Sequence, residues 1–516
     1  MHKLSKLALP LAACSALLVM AGCATTATSP AALAPPANSA QLSSALNRVS
    51  WGVSQSTYQQ AESMGYEAWL NQQLHPSVAV LPVAVQAQID AMAITQKSIV
   101  QLNREMEQQR KDSDKIADDD EKKTAQRAYQ QQFNLLAKEA ASRSLLRDLY
   151  SPNQLQEQMT WFWMNHFNVH QAKHNLRALV GDYEDTAIRP HALGKFRDLL
   201  GATLHHPAMI RYLDNEQNAA NRINENYARE LMELHTLGVD GGYSQRDVQE
   251  LARILTGVGV NLGDTEPKVK KELQAQYVHK GLFEFNPNRH DYRDKEFLGQ
   301  TVKGRGLAEV NEALDRLSRH PATAHFISRK LAIYFVADEP PPALVERMAA
   351  SFLASDGDIA ATLRTMFTSP EFTQSLGTKF KDPVHYVVSA VRLTYDDKII
   401  LNTGPMLGWL NRMAEPLYGH QTPDGYPLTQ SGWASPGQMT TRFEIARTIG
   451  TGNAGLFKAE GPQPQERVAF PQLANALYYQ SLQKTIGPAT RQALDQATSP
   501  QEWNTFLLSS PELMHR

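Results

Sequence analysis

The segment Trp161–His170 (WFWMNHFNVH) carries aromatic and apolar groups on every side of a helix. At 100° per residue no face is left for solvent, so any fold of this chain is built around that helix. Asn165 and His166 go inside with it. A polar group buried without a partner costs about 1–3 kcal/mol, so both must find one. His166, His170 and His174 recur at i, i+4 and i+8, which predicts all three on one face of a helix over 153–174. Two of them could share a metal, but no local carboxylate supplies a third ligand. The alternative is one core histidine and two surface ones, and metal stays open on these residues.

The rest of the chain repeats the helical period. Segments run at 55–75, 83–110, 121–148, 153–174, 190–213, 224–237 and 245–256, then at 308–319, 322–336, 341–354, 358–368, 383–395, 437–449, 470–484 and 499–508. Ser244-x-x-Asp247 is a capping-box variant, and Gly257 is placed as a helix C-terminal glycine. Alternating strand patterns are scarce, with 278–304 the best place for a short hairpin or irregular loop. The expectation is a predominantly all-α chain with few or no strands and one large helical domain over 41–516. Residues 95–148, dense in Gln, Lys, Glu and Asp, read as a charged helical hairpin turning near Ala117–Asp120. A solvated excursion is the simple reading of it; a partner-docking arm is the other.

The N-terminus is read differently. Lys3 and Lys6 precede an apolar run from Leu7 to Ala21, which describes a secretory leader too short for a membrane span. Val19-Met-Ala-Gly-Cys23 resembles the bacterial lipobox. That likeness implies cleavage after residue 22, lipidation of Cys23 and anchoring in the cell envelope. Ala24 beside the cysteine resembles the outer-membrane sorting pattern. Residues 23–40, rich in Ala, Pro, Ser and Thr, form a tether of up to roughly 50 Å. Cys14 leaves with the leader, so the two cysteines build neither a disulfide scaffold nor a Cys-ligated zinc site. Lys plus Arg number 51 against 53 Asp plus Glu, which argues against a nucleic-acid partner.

Chemistry concentrates in Asn224–Gly238. Helical phase puts Tyr227, Leu231, Leu234 and Leu237 on one arc, with Glu230 inside it or at its edge and Asn226, Arg229 and Glu233 nearby. A carboxyl among leucines is driven toward its neutral form, which makes either a general acid or half of a structural Arg–Glu pair. His290 and Asp291 offer a neighbour pair for proton transfer, although adjacent side chains rarely face each other. Asp240–Asp247 resembles half of a calcium loop but lacks the preceding Asp-x-Asp, so a glycine turn into a capped helix is preferred. Gly450-x-Gly-x-x-Gly455 follows a helix rather than a strand and is not a dinucleotide motif. No Walker A, H-E-x-x-H or G-x-S-x-G occurs.

Taken together, Trp161–Phe167, Ile188–Arg197, His206-Pro-Ala-Met209, Asn224–Gly257, Asn286–Gly299, His320-Pro-Ala-Thr323 and Gly425-Tyr-Pro427 with Trp433 resemble the bacterial family called domain of unknown function 1800. Arg293 and Val258 stand where that family commonly has Gly and Trp. The resemblance implies an exported protein, often encoded beside another exported family, domain of unknown function 1501. Members of that second family resemble sulfatases and phosphatases, which points to envelope or polysaccharide processing. Two functions follow as expectations. One is an acid–base enzyme on an extracytoplasmic substrate such as a glycan, using Glu230 and His166, with Arg229 and Asn226 positioning and His290 and Asp291 contributing. The other is a non-catalytic binding or assembly lipoprotein in which those residues satisfy one another.

Overall fold

The computed structural model describes residue 36 and residues 38–263, 265–458 and 470–516. The leader, Cys23 and nearly all of the tether lie outside them. The helix Gln154–His166 is the centre, with every residue but Gln156 buried. Its polar side chains act as internal clamps. Gln154 accepts from the Trp51 N–H (3.2 Å) and donates to the carbonyls of Asp148 (3.0 Å) and Ser151 (2.8 Å). Gln158 donates to the Arg48 carbonyl (3.3 Å). Around it pack the helices Ser39–Val49, Tyr66–Leu74 and Asp119–Tyr150. The first of these begins two residues inside the stretch read as tether, capped by Asn38 on the Gln41 N–H.

The chain is predominantly α-helical, as its periodicity predicts. The charged hairpin is two helices, Ile99–Lys115 and Asp119–Tyr150. Ser98 and Gln101 form a capping box on the first, and Asp118 caps the second. Leu102, Met106, Tyr129, Phe133 and Leu136 form a small core that the hairpin shares with Ala178. The two antiparallel hairpins, Val278–Lys280 with Phe283–Phe285 and Lys295–Phe297 with Gln300–Val302, fall within 278–304. A further strand, Val258–Val260, pairs with Phe283–Phe285. Gly257 follows the helix Gln245–Ile254 and its cap Leu255. It makes the turn into that strand at φ +84°, and a Cβ there would stand 2.7 Å from the Asn286 carbonyl.

Several long segments are broken where the backbone chemistry requires it. Gly65, at φ +83°, splits 55–75, and Pro207 starts a new helix inside 190–213. His206 caps that helix by accepting the Ala208 N–H (3.1 Å), and His320 does the same for Ala322 (3.1 Å). The two His-Pro-Ala motifs are thus matching helix starts.

The helix expected over 153–174 stops at His166, so His166, His170 and His174 do not share a face. The Phe167 carbonyl takes the Tyr183 hydroxyl (3.0 Å), while the Gln171 N–H goes to the Tyr418 carbonyl (3.0 Å). A continued helix would pair the Phe167 carbonyl with the Gln171 N–H, and His174 lies in a left-handed conformation at φ +46°. Asn226–Glu233 is likewise shorter than 224–237, which removes Leu234 and Leu237 from the expected helical arc.

Beneath the central helix lies a buried ion network. Arg189 pairs with Glu157, Glu184 and Asp185, and Asp185 also meets Arg147 and Arg143 (3.1 Å). The Tyr418 hydroxyl donates to Glu184 (2.6 Å). Burial, then the neighbouring Asp185, pushes Glu184 up to about 7.

Candidate functional site

Where the central helix ends, its last polar residues hold a loop. Asn165 donates to the Tyr426 carbonyl (3.0 Å) and accepts the Tyr426 N–H (2.6 Å). Asn168 donates to the carbonyls of His420 (3.1 Å) and Thr422 (2.8 Å), and the Tyr212 hydroxyl to that of Gln421 (2.9 Å). Gly425 sits at φ +77°, and a Cβ there would be 2.2 Å from the Asn165 carbonyl oxygen. Only glycine permits that approach. The loop is thereby fixed with Asp424 beside the end of the central helix.

His166 is enclosed by Phe162, Trp163 and Phe167. Its Nε2 lies 3.1 Å from the His235 carbonyl, which can only accept, so Nε2 carries the proton. Nδ1 is then the acceptor for the Lys330 amine at 3.0 Å. Burial, then the Lys330 and His235 charges, holds the imidazole well below its usual range, in its neutral form. Lys330, from the helix Pro321–Phe335, is pulled down to about 8 by burial, against the opposing pull of Asp424. His235 is held down to about 3 by burial and then by Lys330. Its Nε2 has no hydrogen-bond partner among the described residues.

Glu230 is half-buried on the same side. Burial raises its carboxyl, Glu233 and Asp424 add to the rise, and Arg229 opposes it. Asp424 moves the other way. Burial would raise it, but the Thr422 hydroxyl (2.5 Å) and His420 (3.2 Å) outweigh that and hold it below the usual range. The two carboxyls are thus shifted in opposite directions, half-buried Glu230 up and the exposed Asp424 down.

The remaining predicted residues are placed elsewhere. Arg229 pairs with Glu225 (3.0 Å) and Gln245 (3.1 Å), tying its helix to the next. Asn226 donates to the Leu213 carbonyl (3.1 Å). His290 lies between the Thr256 carbonyl (2.7 Å) and Glu309 (2.9 Å), and Glu309 also meets the buried Lys295. Asp291 faces Arg253 (2.9 Å) and Arg293 (2.5 Å). None of these bonds reaches Glu230 or His166. The arginine found where glycine is commoner thus supplies an ion pair. Among the described residues no group of three or more His, Cys, Asp or Glu could hold a metal. None of their helices is long and apolar enough to cross a membrane.

Lys330 and Asp424 escape a reading by motif. Lys330 adjoins Leu331 in a helix whose buried face includes Ile327 and Leu331. The one signal for Asp424 is its position before Gly425-Tyr-Pro427.

The profile of the family described as "Protein of unknown function (DUF1800)" matches residues 44–515. No curated protein and no solved structure matches the chain. The matched span takes in both the central helix and the Asp424 loop, and the chain belongs to the DUF1800 family.

Proposed function

We propose that this protein is an acid–base hydrolase of an extracytoplasmic polymer such as a glycan, held in the envelope through lipidated Cys23. The carrying observation is the opposite displacement of Glu230 and Asp424. Protonated Glu230 donates to the leaving oxygen as the C–O bond breaks. Ionised Asp424 takes a proton from the attacking water, whose hydroxyl goes to carbon. Exchange with solvent then restores both carboxyls. Lys330 favours the charged form of Asp424, and neutral His166 fixes the Lys330 amine by accepting from it.

The experiment is reducing-end release from a panel of envelope glycans by the mature chain. Glu230→Gln and Asp424→Asn should each lower it about a hundredfold or more at an unchanged melting midpoint. Release from no glycan, or release untouched by both substitutions, overturns the proposal. The internal pairing of Arg229, Asn226, Asp291 and His290 favours a second reading, a binding or assembly lipoprotein working with a neighbouring exported protein. For that reading, Glu230→Gln would lower the melting midpoint sharply while ligand binding survived.

A further inference from the structure

A cavity of about 120 Å³ lies between the helices Ser39–Val49 and Pro383–Tyr395 and the segment 508–516. Val53, Leu393 and Leu508 line it with aliphatic surface, and Ser43, Ser44 and Lys381 with polar groups. Lys381 is only 4% exposed, yet its amine has no hydrogen-bond or ion-pair partner among the described residues. Buried lysines are almost always paired, because an uncompensated buried charge is costly. Here the neighbouring charges make matters worse. Burial, then Arg516 and Arg442, pulls Lys381 down to about 7.

Those arginines and Arg48 bond to neutral groups, while the Nε of each has no partner among the described residues. Arg442 donates to the Lys381 carbonyl (2.7 Å) and lies over the rings of Phe380 and Tyr386. Arg516 donates to Gln158 (2.9 Å) and the Tyr334 carbonyl (2.7 Å) and also meets His385. Arg48 donates to the carbonyls of Phe335, Val336 and Ser375. The nearby carboxyls are occupied. Asp382 takes His385 (2.7 Å), and Glu415, driven toward its neutral acid by burial and Asp382, accepts the Val384 N–H (2.9 Å). Glu512, on the cavity lining, accepts from the Gly487 N–H (2.8 Å) and the Thr490 hydroxyl (2.8 Å). The cavity is left with the Lys381 amine, an aliphatic wall and no Asp or Glu side chain paired with that amine among the described residues.

We propose that this cavity binds a small organic anion, its head on Lys381 and its aliphatic body along Val53, Leu393 and Leu508. Carboxylate and phosphate monoester heads share the required chemistry. The site shares no lining residue with the His166–Asp424 cluster, so it stands or falls apart from the hydrolase proposal.

The mature chain, titrated calorimetrically with hexanoate, hexyl phosphate and hexanol, tests it. At least one anion should bind saturably, hexanol about tenfold more weakly or not at all, and Lys381→Met should cost the anion about tenfold or more. The better of the two anions identifies the head group. If Lys381→Met does not fold, Ala390→Leu narrows the cavity while leaving the lysine in place, and it should weaken the same anion. Hexanol binding as tightly as the anions overturns the proposal. So does anion affinity untouched by the folded variant, or no binding by either anion.

Discussion

The Arg189 network and the His166–Asp424 cluster flank the same central helix, the first with its charges buried, the second running from buried His166 out to exposed Asp424. In the first, Arg189, Arg147 and Arg143 all face carboxylates and Tyr418 bonds Glu184, with the Nε of Arg143 left without a partner among the described residues. In the second, a lysine is answered by a neutral imidazole, a carboxyl is forced toward its acid, and His235 keeps an unpartnered nitrogen. A closed network holds structure together. An open one keeps groups that can still exchange protons. Displaced ionisation therefore marks function only when the compensating charge is missing from the fold.

Removing the central cation of each region breaks or sharpens that contrast. Arg189→Met leaves Glu157 and Glu184 buried without their partner and should cost about 3–5 kcal/mol in urea unfolding. Lys330→Met removes one amine from a histidine acceptor and should cost about 1 kcal/mol or less. Equal losses would make the second region structural. Gly425→Ala forces a side chain into a left-handed position against the Asn165 carbonyl, and a loss of about 2 kcal/mol or more is expected. That variant should also slow any turnover that depends on Asp424, whereas Arg189→Met should not once the protein is folded.

A further effect is one of pH. Native His235 stays neutral down to about 3, whereas in the unfolded chain it takes up a proton near 6.5. Between those values the unfolded state binds more protons, so His235 contributes stability that is complete above about 6.5 and lost as pH falls through the window. Replacing it by Gln should flatten the pH dependence of the urea midpoint between pH 6.5 and 4. An unchanged slope would show that His235 is already charged in the native protein.

The central helix was legible because aromatic groups around its whole axis admit one environment. The capping box at Ser244 and the hairpins of 278–304 were legible for a similar local reason. The end of that helix was not. Tyr183 and Tyr418 take the Phe167 carbonyl and the Gln171 N–H, which a continued helix would pair, and neither adjoins Phe167 in sequence. The candidate cluster was readable only in part. The leucine pattern singled out Glu230, whereas Asp424 owes its place to a loop pinned by Asn165 and Asn168, some 260 residues earlier in the chain. A sequence pattern records which faces are apolar. It does not record which distant carbonyl will accept a given proton.

The helix Ser39–Val49 is stitched to the segment ending at residue 516. Arg48 binds the Arg516 carbonyl, and Asn47 binds the His515 carbonyl (3.3 Å), both across 468 residues. A contact of that reach cannot form until residues 515 and 516 have been made, and its closure entropy falls due late in folding. Synthesis thus delivers the helix Ser39–Val49 long before these partners, and removing residues 515 and 516 should loosen a helix that lies 468 residues away in sequence.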